Sequence, residues 1–215
     1  MLYTPPAFKL DGLAALHDHI EATGLAMIVT VGDGGPILSH APLLLDRNAG
    51  PFGTLLGHLA RANAQTTQSR LDLEAVAVFQ GPDAYISPGW YASKVEHGRV
   101  VPTWNYTVVH ARGRLALFDD ATRLRAVVDR LTARHEARFA KPWSTADAPQ
   151  EFIAAQLKGI VGIEIAIERL EGKRKLSQNR PAPDQAGVVA GLSASPEASD
   201  REVADLMRTQ LASQP

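Results

Sequence analysis

Histidines and basic residues are the side chains of this sequence that could take part in the widest range of chemistry. Seven histidines occur, and His40, His58 and His110 lie in strand-like segments, so they could line one cavity. A histidine in a strand is more often a hydrogen-bonded structural group than a ligand, and no acidic residue stands at metal-ligand spacing from these three. We therefore predict no dedicated metal site. The absence of cysteine also excludes disulfides and thiolate chemistry.

The familiar catalytic motifs are missing from the sequence. There is no G-x-S-x-G elbow, no P-loop, no H-E-x-x-H and no G-x-G-x-x-G. The segment "GDGGPI" fails the last pattern because Ile37 stands at its third glycine position and a strand follows. These absences leave ligand binding as the more informative question.

Two segments offer donors for a phosphate-bearing or planar ligand. "GHLARANAQ" places a histidine, an arginine and an asparagine before a predicted helix start, where a guanidinium and free backbone N–H groups can converge on a dianion. "KRKLSQNR" places amides and a hydroxyl after three basic residues, and such groups can bond the heteroatoms of a planar ring. On spacing alone, either segment could equally be solvated surface.

The segments that position these residues are mostly strand-like. "LAMIVTV" and "ILSHAPLLL" flank the turn "GDGGP" and predict a hairpin. Residues 101–118 predict one long or bent strand, or a hairpin about "ARGR". "DDATRLRAVVDRLTARHEARF" predicts the clearest helix, with an apolar stripe that includes Leu124, Val127 and Leu131. About six or seven strands and three or four helices favour an α+β fold that is mainly β with helices, a small antiparallel barrel decorated by helices.

The composition indicates a soluble globular chain. Its 215 residues are 45% hydrophobic and carry a formal net charge of -1. No run approaches the roughly 20 apolar residues of a membrane helix, and the first residues lack a signal-peptide pattern. We expect a cytoplasmic protein without a membrane segment and without a general attraction to nucleic acid.

Seven motifs, taken in order, give the chain a family resemblance. "PPAF", "SHAPLLL", "GHLARAN", "VFQGPDAYISPGWY", "VPTWNY", "LKGIVGIEI" and "KLSQNR" resemble the PaiB-type family, described as FMN-binding negative transcriptional regulators. The resemblance runs from about residue 1 to residue 210. It implies a split β-barrel like that of the pyridoxamine-phosphate oxidases, and a homodimer with FMN at the subunit interface.

The resemblance also implies which residues bind the cofactor. One strand should run beside the isoalloxazine, and it carries Ser39, His40, Ala41 and Pro42. The next segment should reach the ribityl chain and the phosphate through His58, Ala60, Arg61 and Asn63, with Arg61 as the expected phosphate ligand. The pocket should be completed, with at least one group from the partner subunit, by Trp104, Asn105, Lys175, Ser177 and Gln178.

The resemblance further implies a domain division and a function. Residues 1–180 should form the split-barrel FMN-binding domain, and residues 181–215 a helical tail packed on the same domain. A flavin-dependent oxidoreductase acting on a small planar substrate is an alternative to the regulator, with catalytic residues that the sequence does not identify. The sequence does not support direct DNA binding, because the arginines of the helix at 119–139 are balanced by acidic residues.

Overall fold

Eight strands and seven α-helices form the regular structure of residues 1–212, which are the residues that the computed structural model describes. The strands are β1 Leu25–Gly32, β2 Gly35–Pro42, β3 Leu44–Asp46, β4 Thr54–Ala60, β5 Glu74–Ile86, β6 Thr103–Phe118, β7 Ile160–Ala166 and β8 Arg169–Lys175. The helices are α1 Leu13–Thr23, α2 Ala64–Thr67, α3 Ser93–His97, α4 Ala121–Glu136, α5 Gln150–Leu157, α6 Ala182–Ser193 and α7 Ala198–Ala212. Among the described residues, no helix is long and apolar enough to cross a membrane.

The described residues fall into two compact units that the chain visits in turn. The larger unit contains residues 13–79 and 110–170, and the smaller one contains residues 1–12, residues 80–109 and the described residues from 171 onward. Strands β5 and β6 each contribute residues to both units. The predicted division into 1–180 and 181–215 follows other boundaries and stays a prediction.

The larger unit is built on an antiparallel sheet. Its strand order is β2-β1-β5-β6-β7-β4-β3, and β8 pairs with β6 beside this path. Strands β1 and β2 form the predicted hairpin, in which Met27 lies opposite His40 and Val29 opposite Leu38. The sheet path ends at β2 and β3 without closing. This arrangement confirms the predicted antiparallel sheet decorated by helices.

Helix α4 covers part of this sheet through the apolar stripe read from the sequence. Asp120 begins the helix by accepting a hydrogen bond from the Arg123 backbone N–H at 2.7 Å, as N-cap residues do. Buried Val127 and Leu131 then pack with Leu44 of β3 and Leu56 of β4. The helix therefore fixes one face of the strand that carries His58.

The smaller unit has its own core. It is formed by Ala84, Ile86, Tyr91, Leu176, Val188, Leu192, Val203, Ala204 and Met207. Trp90 lies against α6 at two glycines, since a Cβ atom on Gly187 would stand 2.0 Å from the Trp90 carbonyl oxygen and one on Gly191 would stand 2.4 Å from its ring. These glycines allow the close approach of Trp90 to the helix.

The structure decides one open alternative among the strands and adds one strand that was not predicted. β6 runs through "ARGR" as one strand of 16 residues, which resolves the open choice against a hairpin. Gly113 lets the backbone of β7 approach β6 closely and does not form a turn, because a Cβ atom there would stand 2.0 Å from the Ala166 carbonyl oxygen. β8 was not predicted, because its charged sequence "RLEGKRK" has the composition of a solvated segment.

Candidate functional site

The residues predicted to bind the cofactor form two groups, one in each unit. The larger unit holds Ser39, His40, Ala41, Pro42, His58, Ala60, Arg61 and Asn63. The smaller unit holds Trp104, Asn105, Lys175, Ser177 and Gln178. Their roles toward a flavin stay predictions, and the structure shows which members of each group lie together.

Ser39 and Asn63 are brought into contact in the larger unit. The Asn63 side-chain amide donates to the Ser39 hydroxyl at 2.9 Å. The Asn63 side-chain oxygen also accepts from the Gln65 backbone N–H at 2.8 Å, so Asn63 caps α2. Buried Gln65 in turn donates to the Ile28 carbonyl at 2.9 Å. This chain of bonds ties the start of α2 to the β1–β2 hairpin.

The neighbouring residues of β2 and β4 differ in exposure. His40 is exposed, whereas Ala41 is buried. The Pro42 carbonyl lies close to Gly57, where an added Cβ atom would stand 3.0 Å from it. Ala60 is exposed at the end of β4. A ligand along β2 would therefore meet Ser39 and His40 before it met Ala41.

Arg61, the predicted phosphate ligand, is engaged by other groups. Its guanidinium makes a bidentate pair with Asp119, with N–O distances of 2.7 and 3.2 Å. It also donates to the carbonyls of Lys158 at 3.1 Å and Ile160 at 3.0 Å. The hydrogen bond from Arg61 lowers the pKa of Asp119, so this carboxylate is charged at neutral pH. A phosphate at Arg61 would have to displace Asp119.

His58 lies apart from Ser39 and Asn63, in a cavity beneath α4 and α5. The cavity has a volume of about 230 Å³. It is lined by His58, Val128, Thr132, Trp143, Thr145, Ile153, Gln156, Leu157 and Ile160. The Nδ1 atom of His58 is buried and has no hydrogen-bond partner among the described residues. Burial lowers the pKa of His58, so the imidazole is neutral at pH 7.

The lowered pKa of His58 predicts a pH dependence of stability. The unfolded imidazole, with an ordinary pKa near about 6.5, binds a proton more readily than the folded one. The free energy of unfolding should therefore have its full value when the pH is above the unfolded pKa. It should fall as the pH drops through the unfolded pKa toward the lower pKa of the folded state. Urea denaturation of the wild type and of His58→Gln measures the effect. The variant should lose less stability between pH 7 and pH 5, and equal losses would contradict the burial of a neutral His58.

In the smaller unit, Asn105 and Ser177 form a buried pair. The Asn105 side chain is fully buried and donates to the Ser177 hydroxyl at 3.0 Å. Ser177 has a φ of 61° and is the one described non-glycine residue with a positive φ. Such a backbone conformation is costly for serine, and the hydrogen bond to Asn105 helps to hold it. The pair fixes the turn that follows β8.

Gln178 closes the same turn. Its side-chain oxygen accepts from the Leu176 backbone N–H at 2.7 Å, and its side-chain nitrogen donates to the Arg174 carbonyl at 2.5 Å. The polar atoms of Ser177 and Gln178 therefore bond within the chain. In this structure they position the neighbouring basic residues.

Trp104 and Lys175 form the accessible part of this group. The Trp104 side chain is 49% exposed and packs edge-on against Tyr85, with ring centroids 6.0 Å apart. Its indole N–H donates to the Asp83 carboxylate at 2.8 Å. The Lys175 ammonium donates to the Trp104 carbonyl at 2.6 Å and also contacts the Thr103 hydroxyl. The ammonium group of β8 and the aromatic ring of β5 thus both contact Trp104 of β6.

Four cations of "KRKLSQNR" make no salt bridge within the described residues, although Arg180 lies near enough to Asp184 to help lower the pKa of that carboxylate. They are Lys173, Arg174, Lys175 and Arg180, and none takes part in an ion pair within residues 1–212. Burial and the nearby Lys173 and Arg180 charges lower the pKa of Lys175. The sequence analysis took the basic residues of this segment as possible donors but named only Lys175 of them as cofactor-binding, because a basic run is usually solvated surface.

This donor set fits a ligand that combines a planar ring with an anionic group. Exposed aromatic side chains stack on planar rings, and uncompensated cations bind phosphate. A family model described as "Putative FMN-binding domain" matches residues 2–169. The chain belongs to this FMN-binding family. FMN is therefore its cofactor, and the fold is the family's split barrel, an antiparallel sheet with helices that is not closed.

Relatives of the FMN-binding family match this chain over most of their length. "Protease synthase and sporulation protein PAI 2" of Bacillus subtilis is 29% identical over 213 residues, which cover 99% of this chain and 100% of that protein. An uncharacterised protein of Emericella nidulans is 33% identical over 185 residues, with 72% of this chain and 74% of that protein covered. The PaiB-type resemblance is thus confirmed.

Solved structures share the fold of this family member at low sequence identity. A conserved hypothetical protein of Mycobacterium tuberculosis superposes with a TM-score of 0.58 at 13% identity, covering 84% of this chain and 94% of that one. An FAD and heme binding protein of Mycobacterium smegmatis gives a TM-score of 0.53 at 17% identity, covering 78% and 73%. At these identities the likeness concerns the fold alone.

Proposed function

We propose that this protein is a cytoplasmic homodimer that binds FMN and acts as a negative transcriptional regulator. The observation that carries the flavin part is the Lys175 ammonium, which makes no salt bridge within the described residues, beside the exposed Trp104. The regulatory part is supported by the PaiB-type motifs and by the full-length similarity to the sporulation protein PAI 2. Direct DNA binding is not part of the proposal.

The smaller unit supplies the groups that we assign to the ring and the phosphate. Trp104 offers an exposed indole face for the isoalloxazine, and Lys175 holds the Trp104 carbonyl while keeping one of its three ammonium donors available. Arg180 lies close enough to Lys175 to lower its pKa. A phosphate would relieve the repulsion among these cations, whereas Arg61 already has a carboxylate partner. We therefore place the FMN phosphate at Lys175 in preference to Arg61.

Residues of the larger unit are proposed flavin ligands separately, on the basis of the family resemblance. Ser39 and His40 on β2, together with Asn63 at the start of α2, present polar groups for the flavin ring and the ribityl chain. Ala41, Pro42 and Ala60 remain in the proposed set on the basis of the family resemblance, whereas His58, which the resemblance also implies, lines the cavity beneath α4 and α5 and is not assigned to the flavin. At least one of the two groups is proposed to come from the partner subunit.

An exposed apolar face of the larger unit supports the homodimer. On the β1–β2 hairpin, Leu25 is 56% exposed, Leu38 55% and Val31 38%. Val29 lies opposite both Leu38 and Val76, and it is half-buried. Contiguous apolar area of this kind on a sheet marks an interface, and a two-fold dimer would bury it against its own copy.

The dimer face can be tested with one charge. Leu38→Glu would place a carboxylate within a face that is buried in the dimer, and an unpaired buried charge is strongly unfavourable. We expect the wild type to sediment as a dimer and Leu38→Glu as a folded monomer. Val95→Glu, at a residue that is 93% exposed in the smaller unit, is the matched control and should remain a dimer. A monomeric wild type, or a dimeric Leu38→Glu, would contradict this interface.

The regulatory role is tested against the oxidoreductase alternative by two measurements. FMN-loaded protein should oxidise NADH and NADPH no faster than the same concentration of free FMN. In a host strain that lacks the gene, wild-type protein should restore repression of a set of transcripts, and Lys175→Gln should restore it less well. Turnover well above that of free FMN, combined with an unchanged transcript profile, would favour the enzyme.

A further inference from the structure

We propose that the cavity beneath α4 and α5 in the larger unit is a second binding site, separate from the flavin residues, for a small planar aromatic molecule that carries one hydrogen-bond donor. Phenols and indoles are the simplest members of this ligand class. The proposal stands on the cavity and on His58, and it does not depend on flavin binding.

The size and lining of the cavity indicate that the ligand contains an apolar ring. Val128, Ile153, Leu157 and Ile160 contribute four of the nine lining side chains and Trp143 an aromatic one, beside Thr132, Thr145, Gln156 and His58. An apolar cavity of about 150 Å³ is large enough to bind benzene. A volume of about 230 Å³ therefore accommodates one ring or a fused pair, and it is too small for a flavin.

His58 indicates that the ligand carries a hydrogen-bond donor. The imidazole lines the cavity, its Nδ1 atom is buried, and no described residue bonds to either ring nitrogen. The unpartnered Nδ1 atom is unusual, because most buried polar atoms are hydrogen-bonded. The neutral ring keeps one nitrogen as an acceptor, which a hydroxyl or an indole N–H can use.

A neighbouring cleft lies beside the cavity. It has a volume of about 540 Å³ and shares Thr132, Trp143 and Thr145 with the cavity. The segment between cleft and cavity is held in place, since the Trp143 backbone N–H donates to the Glu136 carboxylate at 2.9 Å and Arg125 donates to the Thr145 hydroxyl at 2.8 Å.

A matched pair of probes separates a specific site from a merely apolar one. Phenol and toluene have nearly the same shape, but toluene is the more hydrophobic, so a purely apolar cavity would prefer it. Ligand-observed NMR titration of the full chain should show saturable binding of phenol and indole at about 0.1–1 mM. Phenol should bind at least about threefold more tightly than toluene, as one net hydrogen bond allows.

Three variants complete the test. Val128→Phe should fill the cavity and abolish binding of both probes, with Leu157→Phe as a second filling variant if circular dichroism shows the first to be unfolded. Val95→Phe, exposed in the smaller unit, should bind like the wild type. His58→Leu should lower phenol binding to the level of toluene. The proposal is overturned if wild type shows no saturable binding up to about 10 mM, if toluene binds as tightly as phenol, or if a folded filling variant still binds.

Discussion

Gly187→Ala is expected to destabilise the protein by about 2 kcal/mol, although the same change inside a helix usually stabilises it. Helix propensity favours alanine over glycine by about 1 kcal/mol. At Gly187, however, the new Cβ atom would stand 2.0 Å from the Trp90 carbonyl oxygen, and that oxygen belongs to the backbone and has little room to move. Forcing an extra methyl group into a packed site costs about 3 kcal/mol at the upper end of the usual range. Urea denaturation followed by circular dichroism measures the net effect.

Gly34→Ala is the control for adding a methyl group at a glycine where no neighbouring atom obstructs it. An added Cβ atom at Gly34 has nothing within 4 Å, so the variant should stay within about 0.5 kcal/mol of the wild type. A more stable Gly187→Ala would show that Trp90 does not lie against α6. Since Trp90 anchors the segment between β5 and β6, that outcome would also mean that this segment is not packed on the smaller unit as described.

Lys175→Gln is expected to weaken FMN binding by about 10- to 100-fold and to change riboflavin binding less than about twofold. A hydrogen bond to a charged group contributes about 1.5–3 kcal/mol, and riboflavin lacks the phosphate that receives it. Because glutamine keeps a polar donor near the Trp104 carbonyl, the local fold should be retained. Fluorescence quenching of each flavin on titration with protein gives both affinities.

Two further variants sharpen that comparison. Lys94→Gln removes a charge from an exposed residue of the smaller unit and should leave both affinities unchanged. Arg61→Gln should lower stability by removing the Asp119 pair and its two carbonyl contacts, with no loss that is specific to FMN. A larger FMN-specific loss in Arg61→Gln than in Lys175→Gln would return the phosphate to Arg61, as the family resemblance predicts.

The elements that followed from the sequence are those with strong local patterns. The hairpin of β1 and β2 followed from two apolar segments about a glycine-rich turn, and α4 followed from its apolar stripe. β8 could not be predicted, because its charged side chains are stabilised by pairing with β6 rather than by an apolar face. Gly113 was ambiguous for a similar reason, since only the approach of Ala166 shows that it serves a strand.

The candidate site shows the same contrast between residues that local sequence patterns select and contacts that only the folded structure shows. Motif likeness selected Asn105 and Ser177, but only the three-dimensional structure shows that they bond to each other in the core and hold a left-handed turn. Arg61 carried the right chemistry for a phosphate, yet its counterion Asp119 is 58 positions away in the chain and could not be assigned from spacing. That Lys173, Arg174, Lys175 and Arg180 make no salt bridge within the described residues is likewise a property of what surrounds them.

The most direct test of the central claim is a paired titration of the wild-type protein with FMN and riboflavin. If the flavin ring binds the aromatic face and the phosphate binds Lys175, the fluorescence of FMN should be quenched saturably at one flavin per chain. FMN should then bind at least about tenfold more tightly than riboflavin. Equal affinities for the two flavins would contradict the phosphate site. No saturable quenching by either would contradict the flavin assignment itself.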